Sequence, residues 1–153
     1  QGRRVFGSLT VRESLTLPQS ALSGVTRKPR WTLERVYDLF PRLSERARQM
    51  AGSLSGGEQS MLSISRALMR DPDLLVMDEP TEGLAPVIVR EIEAIIKRLR
   101  AEGLPVLLVE QNYRLAMALA DEVAILAGGK TVWTGTPAAR QADDSARARW
   151  LGV

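Results

Sequence analysis

The chain contains neither cysteine nor histidine among its 153 residues. Disulfide staples, Cys/His zinc sites and any catalysis that needs an imidazole are therefore excluded within it. The lack of cysteine is compatible with a reducing compartment. No apolar run approaches the roughly twenty residues that a membrane-spanning helix needs, and no secretory leader pattern is present. The formal charge is only +3 and is spread along the sequence. That balance describes a solvated Arg-rich surface and gives no reason to expect a nucleic-acid partner. A hydrophobic content of 44% is enough for one globular core.

What is present concentrates in Ser53 to Glu79 (SLSGGEQSMLSISRALMRDPDLLVMDE). Ser55 and Glu58 have capping-box spacing and predict a helix running to about Arg70, with Met61, Ile64 and Leu68 on one face. Gly56 and Gly57 leave bare amides at its start, a place that attracts phosphate. Leu74 to Met77 is a short apolar run between Asp71-Pro72-Asp73 and Pro80. It reads as a strand buried on both faces, as in the middle of a parallel sheet. Asp78 and Glu79 would emerge at its carboxyl end, where open α/β sheets bind ligands. One acid suits the water shell of Mg²⁺ and the next suits accepting a proton from water. On their own, the two acids read equally as a solvated pair capping a core strand, and the glycines as a plain helix start.

LSGGEQ followed by LLVMDEP resembles the signature sequence and Walker B strand of ATP-binding cassette (ABC) ATPases. The resemblance implies an α/β fold that is part of a P-loop NTPase: a parallel-sheet core half plus a helical subdomain. Residues 1–70 would hold the Q-loop and the helical subdomain ending in the signature helix. Residues 71–137 would form the core half with Walker B and the switch strand, and 138–153 the C-terminal helix and tail.

In chain order, Gln1 resembles the family's glutamine that senses Mg²⁺ and the γ-phosphate. GRRVF and LTVRESL resemble the same region. Thr10 and Glu13 have capping-box spacing for a helix that Pro18 is expected to stop. Gln19 to Arg30 reads as a loop, and Thr32 to Phe40 as a helix with Leu33, Val36, Tyr37 and Phe40 on one face. In the family this helical region also docks on membrane subunits. After Glu79, TEGLAP places Ala85 where the family usually has an acid, and GLAP resembles the cassettes of branched-chain amino-acid importers.

Ile88, Ile92, Ile95, Ile96 and Leu99 then repeat at helical spacing, with Glu93 and Lys97 paired four apart and Gly103 and Pro105 ending the helix. Pro105 to Val109 is the next buried strand and delivers Gln111 to the same sheet edge as the acids. The family usually has His at that place. Gln111 donates through its amide but carries no proton, so the general base falls on Glu79. Asn112 caps a further helix, and Glu122 to Leu126 is another strand. Gly129-Lys130-Thr131 has the ending of a phosphate-binding loop. Ala124 stands at its first glycine and a strand follows, so Gly128-Gly129 reads as a hairpin turn. Thr136 and Pro137 open a last helix.

The resemblance implies a head-to-tail dimer with a second ATP-binding subunit, identical or not. Ser55, Gly56, Gly57 and Glu58 would face the partner's ATP, Asp78 and Gln1 the Mg²⁺, and Glu79 and Gln111 the hydrolysis. Two membrane permeases, and indirectly an extracytoplasmic amino-acid-binding protein, would complete an importer at the cytoplasmic face of the membrane. The phosphate cradle is expected N-terminal to Gln1, and residues 1–153 alone are expected to be inactive. A urea or amide importer, a soluble non-transport ABC ATPase and a non-catalytic donor of the signature face are the competing readings.

Overall fold

The computed structural model describes residues 5–20 and 29–141. The chain separates into two compact units, Gln1–Leu107 and Leu108–Val153.

In the first unit, Thr10 caps helix α1 (Val11–Ser20). The Thr10 N–H and hydroxyl donate to Glu13 Oε2 at 2.8 and 2.7 Å, and the Glu13 N–H returns a bond to Thr10 Oγ1. Pro18 lies inside this helix, against the expectation that it would end it. It sits near the C-terminus, where the missing N–H deprives only the Ser14 carbonyl of a partner and little helix remains to be disrupted. Helix α2 (Leu33–Leu39) is capped by Thr32, whose hydroxyl accepts from the Arg35 N–H. Phe40 ends α2 and opens α3 (Pro41–Glu45). A 3₁₀ turn (Ala51–Ser53) leads into α4 (Gly56–Leu68), then strand β1 (Leu75–Asp78) and helix α5 (Pro86–Ala101). α1 and α3 both pack on α4, and α2 packs on α3.

The core of this unit joins Val11, Leu15, Val36, Phe40, Leu43, Leu62, Leu68, Ile92, Ile96 and Leu99. The apolar stripes anticipated on α2, α4 and α5 supply most of this core, with Leu33, Tyr37 and Ile88 half-buried, while Leu39 and Leu62 are buried outside them. α5 ends as a glycine-closed turn: the Leu104 N–H reaches the Leu99 carbonyl at 3.0 Å and Gly103 has φ +81. Lys97 and Glu93 pair at 2.7 Å as their spacing requires.

The segments on either side of α1, α2 and α3 are laced together. Val11 and Arg12 donate to the carbonyls of Gln49 and Ala47 at 2.9 Å, and Ala51 donates to Leu9 at 2.8 Å. Gly52 crosses Gly7 so closely that a Cβ on Gly52 would lie 3.0 Å from the Gly7 Cα. Only glycine suits such an approach of two backbones.

β1 pairs with β2 (Val106–Val109), and α5 connects them as a β–α–β unit of a parallel sheet. The Leu75 N–H donates to the Pro105 carbonyl at 3.0 Å. The expectation that the first strand is buried on both faces does not hold. Leu75 and Met77 are buried, whereas Val76 is 59% exposed and, beyond it, Leu107 is 54% exposed. Among the described residues the covering helices shield one face only, so alternation replaces double burial.

In the second unit, Asn112 caps α6 (Tyr113–Leu119), its Oδ1 accepting from the Leu115 N–H at 3.2 Å. β3 (Val123–Ala127) and β4 (Lys130–Gly135) form an antiparallel hairpin. Ala127 pairs with Lys130 across Gly128 and Gly129, at φ +56 and +75. Two successive positive φ values are those of a primed two-residue turn, so the Gly-Lys-Thr stretch is a hairpin and not a phosphate loop. The Thr136 hydroxyl accepts from the Ala139 N–H at the start of α7 (Pro137–Gln141).

Candidate nucleotide site

Two structures in the first unit carry the candidate chemistry. The first is the start of α4. Ser55 and Glu58 form the complete capping box: the Ser55 N–H and hydroxyl donate to Glu58 Oε2 at 2.9 and 2.8 Å, and the Glu58 N–H donates to Ser55 Oγ. Gln59 Nε2 adds a bond to the Leu54 carbonyl at 3.1 Å. None of these bonds uses the Gly56 or Gly57 N–H, so the cap fixes two glycine amides at a positive helix end without consuming them.

Glu58 is buried, and its other oxygen, Oε1, pairs with Arg46 Nε at 2.8 Å. Burial pushes this carboxyl up. The Ser55 N–H and hydroxyl, then Arg46 and Arg42, outweigh that effect and hold it below the usual carboxylate value. A carboxyl depressed in the folded state contributes stability above its unfolded pKa of about 4.3, and that contribution is lost as pH falls through the folded value. Glu58→Gln is therefore expected to lower stability by about 1–2 kcal/mol at neutral pH. The gap from the wild type should narrow toward pH 3.5. Thermal melts of both proteins between pH 7 and 3.5 check this, and a gap that widens in acid would refute it.

Arg46 is a partner that periodicity and motif spacing do not reveal. Nor do they reveal Arg42, at the start of α3, which reaches Glu91 of α5 at 2.7 Å. α3 is thereby tied by guanidinium groups to both α4 and α5. Arg30 forms a third tie, bonding Asp71 Oδ1, the Pro72 carbonyl at 2.6 Å and Asp73 Oδ1 at 3.1 Å. It anchors the turn between α4 and β1, where Asp71 has φ +52.

The second structure is the end of β1. Asp78 is the last strand residue and is exposed; Glu79 follows it, half-buried. Glu79 has φ +46, a left-handed conformation that a residue with a Cβ adopts at a cost of about 1–2 kcal/mol. Its carbonyl accepts from the Glu82 N–H at 3.2 Å, closing a turn through Pro80 and Thr81. Strained residues of this kind cluster at functional sites. Ala85 then serves as N-cap of α5 without any side-chain bond, and Pro86 takes the first helical position.

Asp78 and Glu79 stand together at one strand end, and Ser55, Gly56, Gly57 and Glu58 together at one helix start. Gln111 lies in the second unit, exposed, just before the Asn112 cap. Gln1 lies outside the described residues, as do residues 21–28 of the expected loop and the tail beyond 141.

A β–α–β unit with paired acids at the strand end, preceded by a helix opened by capped glycines, defines the nucleotide-handling class of α/β proteins. Residues 1–82 match the family described as ABC transporter, and the chain belongs to that family. It is 48% identical, across 99% of its own length and 64% of that protein, to the high-affinity branched-chain amino acid transport ATP-binding protein BraG of Pseudomonas aeruginosa. It is 36% identical to the probable branched-chain amino acid transport ATP-binding protein LivF of Archaeoglobus fulgidus, over 89% of this chain and 57% of that one. Against the lipopolysaccharide export system ATP-binding protein LptB of Haemophilus influenzae the figures are 32% identity, 99% and 63%. The chain thus spans less than two thirds of each of these relatives. A solved ATP-binding cassette of an ABC transporter, MJ1267 in its ADP conformation, superposes with a TM-score of 0.74 at 25% identity, covering 96% of this chain and 64% of that one.

Proposed function

We propose that the chain is the signature and Walker B portion of an ATP-hydrolysing subunit that drives a branched-chain amino-acid importer. The observation that carries this reading is the strained Glu79 after Asp78, in the same unit as the capped Gly56 and Gly57 amides. The identity of 48% to BraG against 32% to LptB favours amino-acid uptake over lipid export. GLAP, singled out from the sequence, points the same way.

In the assembled subunit Asp78 would hold Mg²⁺. A site of one or two carboxylates completed by water and phosphate oxygens is the usual one for that ion, and the exposed Asp78 beside Glu79 offers that donor set. Bound Mg²⁺ neutralises charge on the transferring phosphate. Glu79 takes the proton of the attacking water on a carboxylate oxygen, and Gln111 orients that water through its amide without accepting a proton. Gln1 senses the γ-phosphate. Gly56 and Gly57 donate their amides, with the Ser55 hydroxyl, to the nucleotide of a second ATP-binding subunit. The Glu58 carboxylate, committed to Ser55 and Arg46, holds those amides in place.

No helix among the described residues is long and apolar enough to cross a membrane. The subunit works from the cytoplasmic face through two permease subunits. An extracytoplasmic binding protein delivers the amino acid. Residues 1–153 contain no complete phosphate loop, so the rest of the subunit supplies it. Vesicles carrying the complete transporter should take up leucine only with ATP inside. Uptake without ATP, or ATP turnover indifferent to amino-acid cargo, would count against the assignment.

A further inference from the structure

Gly57 is the second glycine of the helix start, and its backbone does not explain why it is glycine. It occupies the second position of α4 with no positive φ, a place where alanine is the better helix former. The explanation lies in what touches it. A Cβ on Gly57 would stand 2.9 Å from Ile88 Cγ2 and 3.1 Å from Ile88 Cγ1. These are the branch atoms of a side chain that is stiff at its first torsion, so it does not swing aside cheaply. Ile88 lies in the first turn of α5, just past the Walker B turn. Ala85 gives that helix start no side-chain cap, so its place relative to α4 depends on packing.

We propose that Ile88 is a positioning residue for the glycine amides, and that position 57 is glycine because Ile88 fills the space a Cβ would need. The inference rests on the ATPase reading and adds a physical link within one subunit. The helix start facing the partner's nucleotide is registered, by direct contact, against the first turn of α5, the helix that follows the turn carrying Glu79. Moving either one displaces the other.

The test is a double-mutant cycle in the complete subunit: Gly57→Ala, Ile88→Ala and the pair, each assayed for ATPase kinetics and melting temperature. Gly57→Ala should lower ATPase activity by about tenfold or more, and the pair should return to within about threefold of Ile88→Ala alone. Ile88→Ala alone should raise the KM for ATP by about fivefold with kcat within about twofold, a split that general loss of folding does not produce. Because alanine is otherwise favoured in a helix, a lower melting temperature for Gly57→Ala that rises again in the pair supports the contact. A pair as inactive as Gly57→Ala, or Gly57→Ala with full activity, overturns the proposal. So does a pair as insoluble as Gly57→Ala, whereas a soluble pair beside an insoluble Gly57→Ala supports it. An inactive wild type removes the ATPase reading and this role with it. An active wild type with an unrescued pair removes the role alone.

Discussion

Glu79→Gln in the complete subunit should leave MgATP binding intact and lower ATP turnover by about 10²- to 10⁴-fold, the range general-base catalysis supplies. The substitution keeps the size of the side chain and its left-handed backbone while removing the group that takes the proton. The chain has no histidine and Gln111 does not accept a proton, so neither supplies an alternative base. Glu79→Gly separates the chemistry from the backbone. It removes the base equally and relieves the φ of +46, so it should lose turnover while gaining about 1 kcal/mol of stability. Equilibrium ATP binding, phosphate release and melting temperature on the two variants check both statements. Turnover retained by Glu79→Gln would remove Glu79 as the base, and a Glu79→Gly protein less stable than the wild type would remove the claim of strain.

Phe40→Ala should cost about 3–5 kcal/mol of stability, the usual range for emptying a buried aromatic site. Phe40 is the bulkiest of the fully buried side chains. Its backbone closes α2, where its N–H reaches the Val36 carbonyl at 2.9 Å, and opens α3, where its carbonyl accepts from Leu43 at 3.0 Å. A cavity there cannot collapse without moving one of the two helices. α3 carries Arg42 on Glu91 and leads into Arg46 on Glu58, so loosening it also slackens the glycine helix start. Urea unfolding followed through the fluorescence of buried Trp31 measures the loss. A change under about 1 kcal/mol would show that the site refills.

The features legible in the sequence were those whose cause lies within a few residues. Ser55 with Glu58, Thr10 with Glu13, Asn112, and Gly103 after an apolar stripe each satisfy backbone groups of their own helix, so spacing alone located them. The Gly-Lys-Thr hairpin was readable for the same reason. Misread features depended on what lies across the chain. Whether β1 is covered on one face or two is decided by distant elements, and four apolar letters do not encode it. Proline breaks a helix from its interior, whereas the position of Pro18 near the end of α1 makes that effect small. The partners of Glu58 and Gly57 are chosen by tertiary packing: Arg46 leaves no periodic trace, and the period that includes Ile88 does not say that it meets Gly57.

The crossing of Gly7 over Gly52 has an evolutionary consequence. A stretch whose two ends are stitched by backbone bonds at its base can be exchanged as a block, because those bonds do not depend on side chains. α1, α2 and α3 can therefore be replaced by the equivalent helices of a relative, provided that Gly52 and the rim from Leu9 to Arg12 and from Ala47 to Ala51 are retained. The graft would change the outer surface of these helices, and it would leave the glycine helix start seated only if Arg42 and Arg46 travelled with it.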